Sequence, residues 1–224
     1  MELDVLRNRH LGEDIYVLGS GASMDFIEPA FYDGKTIVAT NLVGHLLGII
    51  QPWVYTHSHY HVNALEVATA HPEAIVVAPS GDRGFTGKPE TLLPNVIYYD
   101  HVGTGAEFDV DAAWHDTGLI VGSSGIHGSM HLAAYMGAAN IILVGADCGL
   151  IDGRSNHGKY VDEYGRTSSG DLLTSDALVW LGRWDRHLRE VKRKIQEVYG
   201  CGVYSLNPFV NFNLEGHTFT GGVN

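Results

Sequence analysis

The sequence predicts an α/β domain with a mostly parallel sheet flanked by helices. Three observations carry that expectation. Short apolar runs alternate along the chain with helical or loop stretches, the signature of βαβ units. Several runs are unbroken, such as Ile141-Ile142-Leu143-Val144, as suits strands covered on both faces. The first run, Asp14-Ile15-Tyr16-Val17-Leu18, passes straight into Gly19-Ser20-Gly21-Ala22-Ser23, and strand–Gly-x-Gly–helix turns often face phosphates. At 224 residues and 45% hydrophobic content, one domain over residues 1–224 is the simplest organisation.

Taken in order, the elements justify themselves as follows. The glycines after the first strand allow a tight turn and close approach of a ligand. Ser23 is placed to cap a following helix whose N–H groups would face an anion. The alternative is a tight turn that binds nothing. Met24 stands where a dinucleotide fingerprint has its third glycine, and the second run, residues 36–40, ends at Asn41 rather than at an acid. A nicotinamide dehydrogenase is therefore disfavoured. Residues 42–50 read as a short buried helix, 53–56 as a third strand, 62–71 as a helix and 74–78 as a fourth strand. Residues 82–94, rich in Gly, Pro and charge, read as an exposed loop, and 96–99 as another strand.

Gly122-Ser123-Ser124-Gly125 is a second small-residue turn, and the helix behind it carries Met130, Ala133, Ala134 and Met136. The strand over 141–144 ends in Gly145-Ala146-Asp147, and an Asp past a parallel strand's carboxyl end lies where open α/β sheets place their sites. Capping a turn is its other role. Residues 151–169 are polar and long enough to be a lid. Helical spacing is clearest through Leu178, Leu181, Trp184, Leu188, Val191, Ile195 and Val198, with Thr174 or Ser175 as cap and Gly200 past the end. Arg183 lies near the start of that helix. Residues 203–206 form a last strand. The two small-residue turns are expected to meet above the sheet in a nucleotide cleft.

Composition narrows the partners. The formal net charge is −12 with histidine neutral, which argues against nonspecific nucleic-acid binding. No run approaches the roughly 18 apolar residues of a membrane span. Met1-Glu2-Leu3-Asp4 lacks a signal peptide's basic and apolar regions, so the expected location is cytoplasmic. Cys148 and Cys201 are expected to be free thiols. Oligomerisation is left open. Among the 13 histidines, His57, His59 and His61 cluster after the third strand. In a continuing strand all three share a face; in a helix His57 and His61 do. Either geometry offers imidazoles to zinc. The alternatives are histidines lining an anion pocket or hydrogen-bonded within a loop.

Several segments in order show a resemblance. Gly19 to Ser23, Asn41 at the end of the second strand, Ser124-Gly125 before a small-residue helix, Ile141 to Asp147, and Val203-Tyr204-Ser205-Leu206-Asn207-Pro208 together resemble two related groups. These are the bacterial lipooligosaccharide sialyltransferases and the MptE-like (6-hydroxymethylpterin diphosphokinase-like) family. The resemblance implies a single-domain modified Rossmann-like fold, nucleotide-binding over residues 1–224, with a nucleotide or nucleotide-sugar ligand surrounded by Gly19, Gly21, Ser23, Asn41, Ser124, Gly125 and Tyr204; Ser20, between the two glycines, is expected in the same site. Ala22 stands where those proteins carry Pro. Tyr160 or Tyr164 would supply the phosphate-steadying tyrosine. Arg183 occupies the ungapped position of the sialyltransferase histidine base, with His187 one turn on. His57 falls at a nucleotide-facing position.

The expected function is thus a nucleotide-dependent transferase, foremost a glycosyltransferase, with His57 or His187 as general base. An ATP- and magnesium-dependent diphosphokinase using Asp147 is the second reading. A metal-dependent hydrolase built on His57, His59 and His61 is the third, and a non-catalytic nucleotide-binding module the fourth. No cofactor is required by the sequence beyond a divalent metal, Mg or Zn, in two of these readings.

Overall fold

Apolar runs that were expected to be strands all join one sheet. The computed structural model describes residues 3–49, 53–55, 61–79, 93–103, 109–114, 118–121, 124–151, 154–156, 158 and 175–206, with the backbone alone at 53–55, 61–63, 100–103, 121, 175–178 and 180. The strands are β1 (Asp14–Leu18), β2 (Thr36–Thr40), β3 (Trp53–Tyr55), β4 (Ile75–Pro79), β5 (Val96–Gly103), β6 (Gly118–Val121), β7 (Asn140–Val144) and β8 (Gly202–Leu206). Their order is β6-β5-β4-β3-β2-β1-β7-β8, and every neighbouring pair is parallel. The helices are α1 (Val43–Leu47), α2 (His61–Ala70), α3 (Val110–Ala113), α4 (Gly125–Tyr135) and α5 (Ser175–Tyr199).

The period of two along each strand divides the core between the two faces. Ile15 and Val17 of β1, Val38 of β2 and Ile141 and Leu143 of β7 join one core with α4 and α5. Leu18, Ile37, Ala39, Ile142 and Val144 face the other side, against Met24, Ile27 and Tyr32. On that second face Val76, Ala78 and Val96 meet Ala64, Val67 and Ala68 of α2. Each large aliphatic side chain so enclosed contributes about 1.5–3 kcal/mol of hydrophobic stabilisation.

All of α4 is buried. It runs back from the edge strand β6 across β3, β2 and β1 to β7. Gly128, Ser129, Ala133 and Ala134 keep its surface small enough to lie between the sheet and α5. The long helix α5 is amphipathic, as its spacing predicts: Leu181, Leu188, Val191 and Ile195 are buried, whereas Arg186, Arg189 and Arg193 are not. It ends on Gly200, whose φ of 66° is left-handed.

The sequence reading passes over β6. Its apolar stretch is only Leu119-Ile120-Val121, and part of its support is polar. His131 Nδ1 accepts the Ile120 N–H at 3.0 Å, so its Nε2–H faces the Tyr199 hydroxyl at 3.2 Å. The ring stacks on Trp114 with centroids 4.2 Å apart. Complete burial pushes the His131 pKa down to about 3, so this imidazole is a neutral brace between β6, α4 and α5. No described helix is long and apolar enough to cross a membrane.

Candidate functional site

The strand order places the site. From β1 the chain steps outward through β2 to β6, then returns through α4 to β7, on the other side of β1. The direction of winding therefore reverses between β1 and β7. Open α/β sheets bind ligands in the crevice outside the carboxyl ends at such a point. A cavity of about 120 Å³ lies there. Gly19, Ser20 and Gly21 line it after β1, Thr40 and Asn41 after β2, and Gly145 to Gly149 after β7. Ser124 and Ile126 border it from the start of α4, Ser155 and Asn156 from the loop beyond β7, and Leu181, Trp184 and Leu188 from α5. The space suits a ribose- or phosphate-sized group, so a whole nucleotide would also cover the loops around the mouth.

The glycine turn is close to the cavity, yet its donors serve the protein itself. Gly19 N–H donates to Val144 O at 2.7 Å and Gly21 N–H to Gly145 O at 2.8 Å. A Cβ on Gly19 would stand 2.5 Å from Gly145 O, and one on Gly21 would stand 2.6 Å from both Asp147 Oδ2 and Gly145 O. Gly145 adopts φ 67°, and a Cβ there would stand 2.5 Å from Gly19 O. The glycines permit two loops to touch.

The expected helix after this turn is only a 3-10 segment, Ala22–Phe26, whose N-cap is Gly21 rather than Ser23. Ser23 lies inside it, fully buried, and binds Asp147 twice: its N–H to Oδ2 at 2.8 Å and its hydroxyl to Oδ1 at 2.5 Å. A carboxylate from β7's loop thus occupies the place foreseen for a ligand phosphate. This corrects the expected role of Ser23 and of the Gly21 N–H. Burial raises the Asp147 pKa, opposed by the two bonds from Ser23. Asp147 borders the cavity while it ties the two loops together.

Other expected residues do line the cavity. Asn41 has a left-handed φ of 54° and closes β2 at the position where Rossmann folds read the ribose. Ser124 is the N-cap of α4 and makes no side-chain capping bond. Gly125 is buried in the first turn behind it. Thr40 Oγ1 and Ser129 Oγ lie 2.8 Å apart, and Ser129 Oγ donates to Gly125 O at 3.3 Å. These bonds pin the start of α4 onto the end of β2. Ser20 Oγ donates to Asn156 Oδ1 at 2.8 Å.

Three expectations are displaced. Tyr204 pairs with Ile142 in mid-strand, two residues before the end of β8, and its side chain is exposed. At ~3.3 Å per residue it lies well short of the carboxyl edge, so it does not surround a ligand in this cleft. His187 is sealed between helices, its ring centroid 5.9 Å from that of His127, and does not line the cavity. Burial first, then the Arg186 and Arg183 charges, push its pKa down to about 4. An enclosed ring that cannot reach the cleft does not serve as its general base. Arg183 is half-buried on the same helix and is likewise not part of the lining.

His57, His59, Tyr160 and Tyr164 lie outside the described residues, and His61 is described by its backbone alone, at the start of α2. Among the described residues no group of three or more His, Cys, Asp or Glu side chains is spaced to hold a metal. Cys148 and Cys201 are free thiols. Cys148 borders the cavity in a left-handed conformation, φ 46°, and burial raises its pKa.

The first part of the expected lid is held rather than loose. Ile151 and Arg154 exchange backbone hydrogen bonds at 3.0 and 2.9 Å. Arg154 Nη1 reaches Asp25 Oδ2 at 2.6 Å, and the Gly158 N–H donates to the same carboxylate at 3.0 Å. Sequence reasoning missed the apolar wall of Leu181, Trp184 and Leu188, because the stripe that marks α5 as a packed helix also conceals the part that faces the cleft. Comparison of the chain with protein-family models, curated proteins and solved structures gave no match.

Proposed function

We propose that this protein is a nucleotide-dependent transferase of the glycosyltransferase kind, holding a nucleotide or nucleotide sugar in the cleft between β1 and β7. The observation that carries this reading is the meeting of three strand ends and the start of α4 at the point where the winding reverses. Asn41, whose side chain carries both an acceptor and a donor, lines the space where a ribose would lie. The N-terminal end of α4, where Ser124 and Ile126 border the same space, is the kind of helix end that favours phosphate. The apolar wall on α5 supplies a surface for a base or sugar face.

A sugar-nucleotide donor is favoured over ATP with magnesium by the donor set. Asp147 is the sole carboxylate among the described lining residues, and Ser23 already binds both of its oxygens. Magnesium bound between protein and phosphates usually takes one or two carboxylates. The general base is assigned to His57, which follows β3 by two residues in sequence, next to β2 in strand order.

The test is thermal unfolding with CMP-, UDP- and GDP-sugars and with ATP plus magnesium. A ligand at a hundred times its Kd adds about 2.7 kcal/mol, a rise in Tm of roughly 5–10 °C for this size. Asn41→Ala should weaken that ligand about tenfold, the size of one lost polar contact. No shift with any nucleotide at millimolar concentration overturns the reading. A shift with ATP and magnesium alone transfers it to the diphosphokinase class.

A further inference from the structure

On the face of the sheet away from α4 and α5, two histidines from different helices meet. His45 stands near the end of α1, and His71 directly follows α2. Their nitrogens, His45 Nδ1 and His71 Nε2, are 2.8 Å apart. Their far nitrogens each face a carboxylate: Glu66 Oε1 is 4.0 Å from His45 Nε2, and Glu73 Oε1 is 3.6 Å from His71 Nδ1. The imidazole side chains are 29% and 22% exposed, so small solutes reach them.

The supports are rigid. Asn95 Nδ2 donates toward the carbonyls of Ala68, His71 and Ala74 at 3.0, 3.3 and 3.0 Å, stapling the turn that carries His71. The segment after α1 is closed by Gly48 at φ 68°, whose N–H returns to His45 O at 3.1 Å.

We propose that His45 and His71 form a two-imidazole binding site for a borderline transition-metal ion such as Zn²⁺ or Ni²⁺, completed by water. Imidazole nitrogen is the ligand these ions prefer. At present one of the facing nitrogens donates its proton to the other. On binding, the ring that carries this proton takes its other tautomer: the proton moves through solvent to the far nitrogen, beside Glu66 or Glu73, and the freed nitrogen binds the ion, with no net proton released from a neutral pair. Zn–N bonds of ~2.0–2.1 Å at a tetrahedral angle set the two nitrogens about 3.3 Å apart. The nitrogens must part by about half an ångström, and the rings, which meet nearly head-on with centroids 5.1 Å apart, must tilt about their side-chain torsions until both lone pairs point at one ion. Glu66 and Glu73 then stand behind the ligands, where carboxylates orient metal-bound imidazoles and raise their basicity. Neither histidine belongs to the described lining of the cleft.

The test uses the whole chain stripped with EDTA and titrated calorimetrically with NiCl₂ or ZnCl₂, with the Co²⁺ visible spectrum as a second readout. The wild type should bind one equivalent that His45→Gln/His71→Gln loses, with a metal-dependent rise in Tm of roughly 3–6 °C lost alongside it. Glu66→Gln/Glu73→Gln should weaken that equivalent about 10–100-fold without abolishing it. His57→Gln/His59→Gln/His61→Gln should leave it intact. Should the double histidine variant fail to fold, each single variant must still lose the Co²⁺ band. Equal binding by wild type and the histidine variants, or no binding by the wild type, overturns the proposal.

Discussion

The turn after β1 and the start of α4 border the same cleft, and their polar groups go to different places. In the turn after β1 the Gly19 N–H goes to Val144 at the end of β7, the Gly21 N–H to Gly145, and the Ser23 N–H and hydroxyl to Asp147 as internal acceptor. At the start of α4 the Ser124 N-cap makes no side-chain capping bond and borders the cavity. The first turn closes the end of the sheet; Ser124 at the second borders the cavity without capping its helix. Gly-x-Gly in a sequence marks a close approach, but a neighbouring backbone satisfies that need as well as a phosphate does.

The largest effect expected from this contrast is on folding. Gly145→Ala places a side chain in a left-handed conformation and 2.5 Å from Gly19 O, and Gly21→Val collides with Asp147 and Gly145. Overpacking of this kind costs about 1–3 kcal/mol or more, to which Gly145→Ala adds backbone strain. Urea unfolding should show losses of about 3 kcal/mol or greater for both. Full stability in Gly21→Val with nucleotide binding alone abolished would instead make the first turn a phosphate loop.

The architecture was legible because its signals are local and repeated. Unbroken runs such as Ile141 to Val144 need burial on both faces, and the stripe through Leu181, Leu188 and Ile195 needs a packed helix. The strand order, and hence the reversal at β1 and β7, depends on where α4 returns, which no local pattern records. Asn41 and Ser124, which end and begin elements in the sequence, do border the cavity. The Ser23–Asp147 pair was not legible, since it joins residues from distant parts of the chain. His187 was misplaced because one turn along α5 separates a cleft-facing position, Trp184, from one sealed against α4.

An intermediate effect is expected for Ser23→Ala. It removes the hydroxyl bond to Asp147, and hydrogen bonds to charged groups are worth about 1.5–3 kcal/mol. The consequence depends on pH. Burial already raises the Asp147 pKa above its unfolded value, and the Ser23 bonds hold that rise in check. Losing one lets the folded pKa climb further. Between the unfolded and folded pKa values the native state then holds more protons than the unfolded chain, so stability falls as pH rises through that window. The deficit of Ser23→Ala should therefore be largest at pH 7 and shrink toward pH 4. A deficit independent of pH would show that Asp147 carries no charge in this contact.

The smallest effect is expected at the outer edge of the same turn. Asp25 receives both Arg154 and the Gly158 N–H, and so connects the 3-10 segment after β1 to the loop that supplies Ser155 and Asn156 to the cleft. The Arg154 and Asp25 side chains are 36% and 28% exposed, so solvent screens the pair and its net worth lies within about 0–1 kcal/mol. Asp25→Asn should thus lower Tm by no more than a few degrees. Its local consequence is larger than its global one. The Gly158 N–H loses a charged acceptor, and hydrogen exchange there should accelerate about tenfold, the equivalent of ~1.4 kcal/mol of local opening. If the loop closes over a bound nucleotide, saturating ligand should restore the slow exchange in the variant, because ligand contacts then replace the lost anchor. Exchange at Gly158 that is unchanged by the substitution would show that the loop is held by other contacts. Exchange that accelerates but ignores the ligand would separate the loop from the cleft, leaving α4 and Asn41 to hold the nucleotide without it.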